Sequence, residues 1–506
     1  MISENYLTNH FEPSFNSWGN ILKGVIISPA KHKINVFNID FNRPGESASE
    51  IMWFYSLGWL TKYACSKDCD EKTLTQYLSI FSQLIDNNEL DKIYKISSFD
   101  HCAASRIRYL CMIYFKFIGN QSIENLIISI LKKEIIWFGS LSSVANNNHG
   151  MMLCVSIFHA GLILNQEKLK NELNMALQWF KNILDNVIAE NGYVLENTIG
   201  YHDFYYKFIK NQLIFFNEYY SYFEIYDYLS KLYNRVENAL YKVVTPQGNI
   251  PPLGQCGFYP TKYKSIPGTH IFKEQGFLVK KDHENYFAYT CGSASNVHKQ
   301  LDNTSIYLKL SGEEIFIDSG LGTYNEKEPR SAAINGQRGH SGAFFKVFDD
   351  EYRHLFLISK KLKNINSSID VSSKLISSHF SFEYDDYIYS ISRNIVFNNF
   401  YSLSILDKFV SNNQYSFPVS RFIVPEFVKI SIKSNIIFLD YLFFSVSMEI
   451  KSSFNYSFKT ANDNYENSKF SESWRSLSFN NFEKCNTIEI YPIHNELNIC
   501  ILITKK

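Results

Sequence analysis

Between about residues 50 and 245, apolar side chains recur every three or four positions. In "SEIMWFYSLGWLTKYA" the markers are Met52, Tyr55, Trp59 and Tyr63, and in "KTLTQYLSIFSQLIDNN" they are Leu74, Leu78, Phe81 and Leu84. "SRIRYLCMIYFKFIG", "KLKNELNMALQWFKNILDNVI" and "FYYKFIKNQLIFFNEYYSYFEIYDYLSKLY" continue the pattern. This period predicts a series of amphipathic helices joined by short polar turns, paired and stacked around a centre. After about residue 270 the period falls to two. "TSIYLKL" sets Ile306, Leu308 and Leu310 against Ser305, Tyr307 and Lys309; "SGEE" supplies a turn and "IFID" returns. "YIYSISRNIVF", "YSLSILDKFV", "IIFLDYLFFSVSMEI" and "TIEIYPIH" have strand chemistry, with no helical pattern between them. Such a run predicts an antiparallel sandwich. Between the halves, Pro246, Pro251, Pro252, Pro260 and Pro267 gather five of the chain's 12 prolines, so the junction is placed at about 246–270. The expected organisation is a helical domain over 1–245, a linker over 246–270 and a β-sandwich over 271–506.

A chain of 506 residues is too long for one ordinary core, which agrees with that division. Fifty basic side chains balance fifty acidic ones, so the charge gives no nucleic-acid footprint. The longest apolar run, "GMMLCVSIFHAGLIL", is about 15 residues and contains His159, short of the roughly 20 needed to cross a bilayer. A buried helix is expected there, and no transmembrane segment. The start, "MISENYLTNHFEPSFNSWGN", has no basic segment followed by an apolar run, so no signal peptide is read and a cytoplasmic location is expected. Nine cysteines show no metal-type pairing, and reduced thiols are the default.

Three polar groupings are candidates for chemistry. "NNNHG", Asn146 to Gly150, precedes the apolar run. It suits a helix N-cap, and equally a pair of donors, Asn148 and His149, aimed at a substrate carboxylate. "ENGYVLENTIGYHDFYY", residues 190–206, brings an extended piece to Tyr201 and His202 at a helix start. There Tyr201, Tyr205 and Phe208 also form a core stripe. "HKQLDNTSIYLKLSGEEIFIDSG", residues 298–320, is a hairpin that begins at His298, Gln300 and Asp302 and returns Asp318 toward the same end, with His340 following. These are polar hairpin ends or a metal site; Zn²⁺ accepts His nitrogen and Asp oxygen, and a neutral Gln amide is a poor ligand.

In this order the groupings resemble the heparinase II/III-like polysaccharide lyases, of the kind associated with bacterial surface-polysaccharide genes. The resemblance rests on "NNNHG", on Glu196 with Tyr201 and His202, on "HKQLD", and on "DSG" with Tyr324, Arg330 and His340. It implies an α+β multidomain fold, an (α/α) toroid followed by an antiparallel β-sandwich. It implies β-elimination on an acidic, uronate-containing polysaccharide such as a capsule or O-antigen polymer. Asn148 and His149 would neutralise the uronate carboxylate, the largest electrostatic task. Tyr201 and His298, one from each half, would carry protons at a shared cleft. Glu196, His202, Arg330 and Tyr324 would bind substrate. A divalent metal, zinc, would sit at Asp318 and His340, with Gln300 in place of the family's second hairpin His. That departure leaves the metal lost, weakened or exchanged. A uronate C5-epimerase and a non-catalytic glycan-binding or assembly protein are the alternative readings.

Overall fold

The computed structural model describes residues 25–27, 33–35, 48–67, 69–86, 99–220, 224–292, 295, 298–322, 330, 334–347, 362–459, 474–478 and 481–506. Helices occupy the first part and antiparallel sheets the second, the expected order. The helices are α1 (Ala48–Tyr55), α2 (Gly58–Ala64), α3 (Glu71–Asp86), α4 (Phe99–Lys116), α5 (Gln121–Gly139), α6 (Asn148–Leu164), α7 (Lys170–Val187), α8 (Ile199–Tyr219) and α9 (Tyr226–Val243). By contact density the chain divides into two units, residues 1–187 with 211–226, and 188–210 with 227–506.

In the first unit the three-to-four spacing is the core. Leu74, Leu78 and Phe81 of α3 are fully buried, as are Ile107 and Leu110 of α4 and Leu153 and Ile157 of α6. Polar residues start the helices. Asp70 accepts the Thr73 N–H at 2.9 Å, and Asn120 accepts the Ile123 N–H at 3.3 Å. "SEIMWFYSLGWLTKYA" reads as one helix but forms two. Leu57 takes a left-handed φ of 60°, and a Cβ on Gly58 would lie 2.9 Å from the Tyr109 ring. The chain therefore bends at Leu57, and α2 starts at a glycine that packs closely on Tyr109. The apolar run is the buried helix α6, whose His159 stacks on Phe215 at 4.1 Å. No helix among the described residues is long and apolar enough to cross a membrane. All nine cysteines are free thiols.

Among the described residues the second unit holds three antiparallel sheets. The first joins strands Gly268–Phe272, Phe277–Lys281, Tyr286–Thr290, Ser305–Leu310 and Glu313–Phe316 in chain order. The second has eight strands, with Glu496–Lys505 between Phe444–Ile450 and Ser402–Ser411. The third is built on Asn481–Pro492, which pairs with Phe454–Lys459 and Pro418–Pro425. Period-2 alternation explains the shared core. Leu308 and Phe316, Ile391 and Ile405, and Phe422 and Ile488 face one another from the three sheets, each at most 1% exposed. "IIFLDYLFFSVSMEI" is two strands, because the Glu313 carboxylate accepts the Leu442 and Phe443 N–H groups at 3.0 Å each and fixes a turn there. Ion pairs are sealed inside. Arg393 grips Asp407 through two N–H···O bonds of 2.6 and 2.7 Å, both side chains being fully buried. Its third nitrogen reaches the Thr304 carbonyl at 2.8 Å, which ties the sheet to the segment carrying His298 and Gln300.

Candidate active site

Tyr201 sits in the first turn of α8. Its backbone N–H donates to the Thr198 hydroxyl at 3.0 Å, so a cap fixes where the helix begins. Gly200 is a place where only hydrogen fits, since a Cβ there would stand 2.9 Å from Cys256 Sγ. The Tyr201 ring stacks on His298, with centroids 3.7 Å apart and planes 19° apart. His298 has φ of 53°, a left-handed backbone that a non-glycine residue holds only when its surroundings impose it. Two groups hold its ring. Nδ1 lies 3.0 Å from Gln255 Oε1, and Nε2 lies 3.5 Å from Glu196 Oε2. An amide oxygen only accepts, so Nδ1 carries the hydrogen and the Nε2 edge faces Glu196. The side chain of His298 is 18% exposed and Glu196 is 2% exposed. Tyr205 donates to Glu196 Oε1 at 2.5 Å, and burial, then that carboxylate, push the Tyr205 phenol well above its ordinary range. A partly open phenol–imidazole pair therefore stands over a buried carboxylate. Tyr201 and His298 were expected from different halves. They do meet, and the first residues of α8 belong to the same compact unit as the sheets.

His202, next to Tyr201, stands apart from that pair. It is fully buried; Nε2 is 2.9 Å from the Val236 carbonyl, and the Val194 N–H donates to Nδ1 at 3.3 Å. Burial lowers its pKa to about 4, and the backbone on either side fixes a neutral tautomer.

The ends of the Ser305–Phe316 hairpin form a second, closed group. Gln300 donates to Asn335 Oδ1 at 2.7 Å and to the Gly320 carbonyl at 3.2 Å. Asp318 accepts His340 Nδ1 at 2.9 Å and the Gly320 N–H at 3.1 Å. Gln300, Asp318 and His340 are each at most 3% exposed. Gln300 Oε1 and His340 Nε2 have no hydrogen-bond partner among the described residues. Among those residues no group of three or more His, Cys, Asp or Glu side chains is placed to hold a metal ion. With one imidazole, one carboxylate whose two oxygens already accept N–H groups, and one neutral amide, the donor set does not fit tetrahedral zinc. Arg330 lies over the Phe482 ring at 4.1 Å and near Trp474 at 5.2 Å. Tyr324 falls outside the described residues.

Asn148 and His149 open α6 in the first unit. The cap is Asn147, whose side chain accepts the His149 N–H at 2.9 Å. The His149 ring stacks on His101 at 4.9 Å, and its Nδ1 is 3.5 Å from Asp100. Asn148 is 9% exposed.

No family model matches the sequence, and no curated protein matches it. Solved structures do. A heparinase III with methylated lysines superposes with a TM-score of 0.67 at 12% identity, covering 98% of this chain and 84% of that one. A mutant heparan sulfate lyase from Pedobacter heparinus gives 0.62 at 12% identity, covering 98% and 83%. A further heparinase III gives 0.67 at 12% identity, covering 95% and 80%. The chain has the heparinase III fold. Sequence reasoning placed Tyr201, His298 and Glu196 on this fold, but it missed the residues that hold them. Gln255 lies in "PPLGQCG", which reads as linker, and Tyr205 reads as core. In this heparinase III fold Lys299 also pairs with Asp302, both nearly buried, beside a space of about 20 Å³. Only its three-residue spacing hinted at that pairing. Asn335, the anchor of Gln300, left no signal, because 35 residues separate them.

Proposed function

We propose that the protein cleaves a uronate-containing acidic polysaccharide by β-elimination. The observation that carries this reading is the Tyr201–His298 stack, partly open to solvent and backed by Glu196. In the reaction a base takes the proton at C5, the electron pair forms the C4–C5 double bond, and the C4–O bond breaks. The leaving oxygen then takes a proton. Tyr201 and His298 are the two carriers, a phenol and an imidazole that can give and take the protons of the reaction. The Glu196 carboxylate lies where it steadies the His298 ring when that ring holds an extra proton. Asn148 and His149 take the carboxylate-neutralising role, which donors suit because the C5 proton is very weakly acidic beside a charged carboxylate. Arg330 and Tyr324 are assigned to substrate binding.

The stacking also weighs between readings. A sugar ring does not fit between two aromatic planes at van der Waals contact, so both carriers approach the substrate from one side. Elimination on that face needs nothing more. A C5-epimerase needs proton carriers on opposite faces, and this pair does not supply them. The test is incubation with a panel of acidic polysaccharides, following ultraviolet absorbance and product mass. An unsaturated uronate at the new chain ends is expected. Bound oligosaccharide left chemically unchanged after long incubation overturns the reading in favour of a non-catalytic glycan-binding protein.

A further inference from the structure

We propose that the Gln300–Asp318–His340 group is closed by hydrogen bonds and water without a divalent cation, and that Gln300 is the residue that excludes the ion. The proposal does not rest on the elimination reading. A divalent metal needs several strong donors converging on one point, and zinc favours imidazole nitrogen, thiolate or carboxylate. Gln300 offers only a neutral amide oxygen. Its amide nitrogen is anchored to Asn335 at 2.7 Å and to the Gly320 carbonyl at 3.2 Å, so the side chain's orientation is set by structure and only Oε1 is left to offer.

The turn that receives it is rigid. Gly320 has φ of 77°, and a Cβ there would stand 2.3 Å from the Ser476 carbonyl oxygen. Gly320 also donates its N–H to Asp318, so one residue holds both the amide and the carboxylate. The other Asp318 oxygen accepts His340 Nδ1. Since a carboxylate oxygen accepts, Nδ1 carries the hydrogen, and Nε2 is the one nitrogen of that ring not engaged by a described residue. Among the described residues, what remains without a partner is Gln300 Oε1 and His340 Nε2, both buried. A water bridging the two would satisfy both, and a space of about 10 Å³, the size of one water, lies against His340.

The experiment is metal analysis of the full chain after incubation with zinc and gel filtration, with melting measured before and after a chelator. The wild type is expected to retain less than about 0.1 equivalent and to melt within about 1 °C in both conditions. About one equivalent retained, with melting lowered by about 5 °C or more on chelation, overturns the proposal. Gln300→His restores a third nitrogen or carboxylate donor. It is expected to retain about one equivalent of zinc and to melt about 5 °C higher with zinc than without. A folded Gln300→His protein that retains none overturns the role given to Gln300. The wild-type measurement decides the first claim even where that variant does not fold.

Discussion

His298 and Gln300 are two residues apart, yet they belong to opposite kinds of polar site. His298 is partly open, held in a left-handed backbone conformation and stacked on a phenol. Gln300 is 1% exposed, and its amide hydrogens are spent on a carbonyl and a side-chain oxygen of the same unit. The residue types do not separate them, since both are polar groups at the start of one hairpin. Exposure and backbone strain do. Strain costs on the order of 1–2 kcal/mol and persists where surrounding contacts impose it. A closed hydrogen-bonded group needs no such imposition and serves the architecture.

The comparison breaks most visibly at the open pair. Tyr201→Phe should lower turnover by about 100- to 10,000-fold, the range for loss of a proton carrier, while leaving the melting temperature nearly unchanged. Full activity in that variant would remove Tyr201 from the chemistry. His298→Ala should fall in the same range of about 100- to 10,000-fold. A mild effect there would leave Tyr201 as the sole carrier.

The closed polar groups should answer with stability instead. Arg393→Met strands Asp407 in the interior and should destabilise the protein by about 3–5 kcal/mol in denaturant titration. Activity per folded molecule should fall far less than in the Tyr201 and His298 variants, because Arg393 touches no reacting group and reaches the His298 segment only through the Thr304 carbonyl. His202 predicts a pH effect of smaller size. Its folded pKa of about 4 lies below the unfolded value of about 6.5, so between these values the unfolded chain binds a proton that the folded chain does not. Its contribution is therefore complete above about pH 6.5 and is lost as pH falls to about 4, a change of roughly 3 kcal/mol. Denaturant midpoints measured across that window should show the slope, and His202→Gln should flatten it. The smallest effect belongs to the cap. Thr198→Ala should lower stability by about 1 kcal/mol, and Thr198→Ser should restore it. A turnover that also drops in the alanine variant and recovers with serine would tie the cap to the placement of Tyr201.

Much of the fold was legible because burial follows period. Leu74, Leu78 and Phe81 announce a helix face, and Ile306, Leu308 and Leu310 announce a strand face, whatever lies opposite. The break at Leu57 was not legible, because no local pattern marks its left-handed φ. Nor was the division of "IIFLDYLFFSVSMEI", since Glu313, 129 and 130 residues away from the amides it accepts, makes that turn. The candidate site divides in the same way. Tyr201 and His298 could be named from local motifs. Gln255, 43 residues from His298, could not, and neither could the contrast between His202 and its neighbour Tyr201.

By itself, then, the amino-acid order determined where helices and strands form and which half carries each, because hydrophobic spacing is a local property that solvent reads directly. Only the folded chain decided which polar residues stay open and which are sealed. That outcome depends on hydrogen-bond partners tens of residues away, such as Asn335 for Gln300 and Val236 for His202, and on how completely the packed surroundings exclude water from each group.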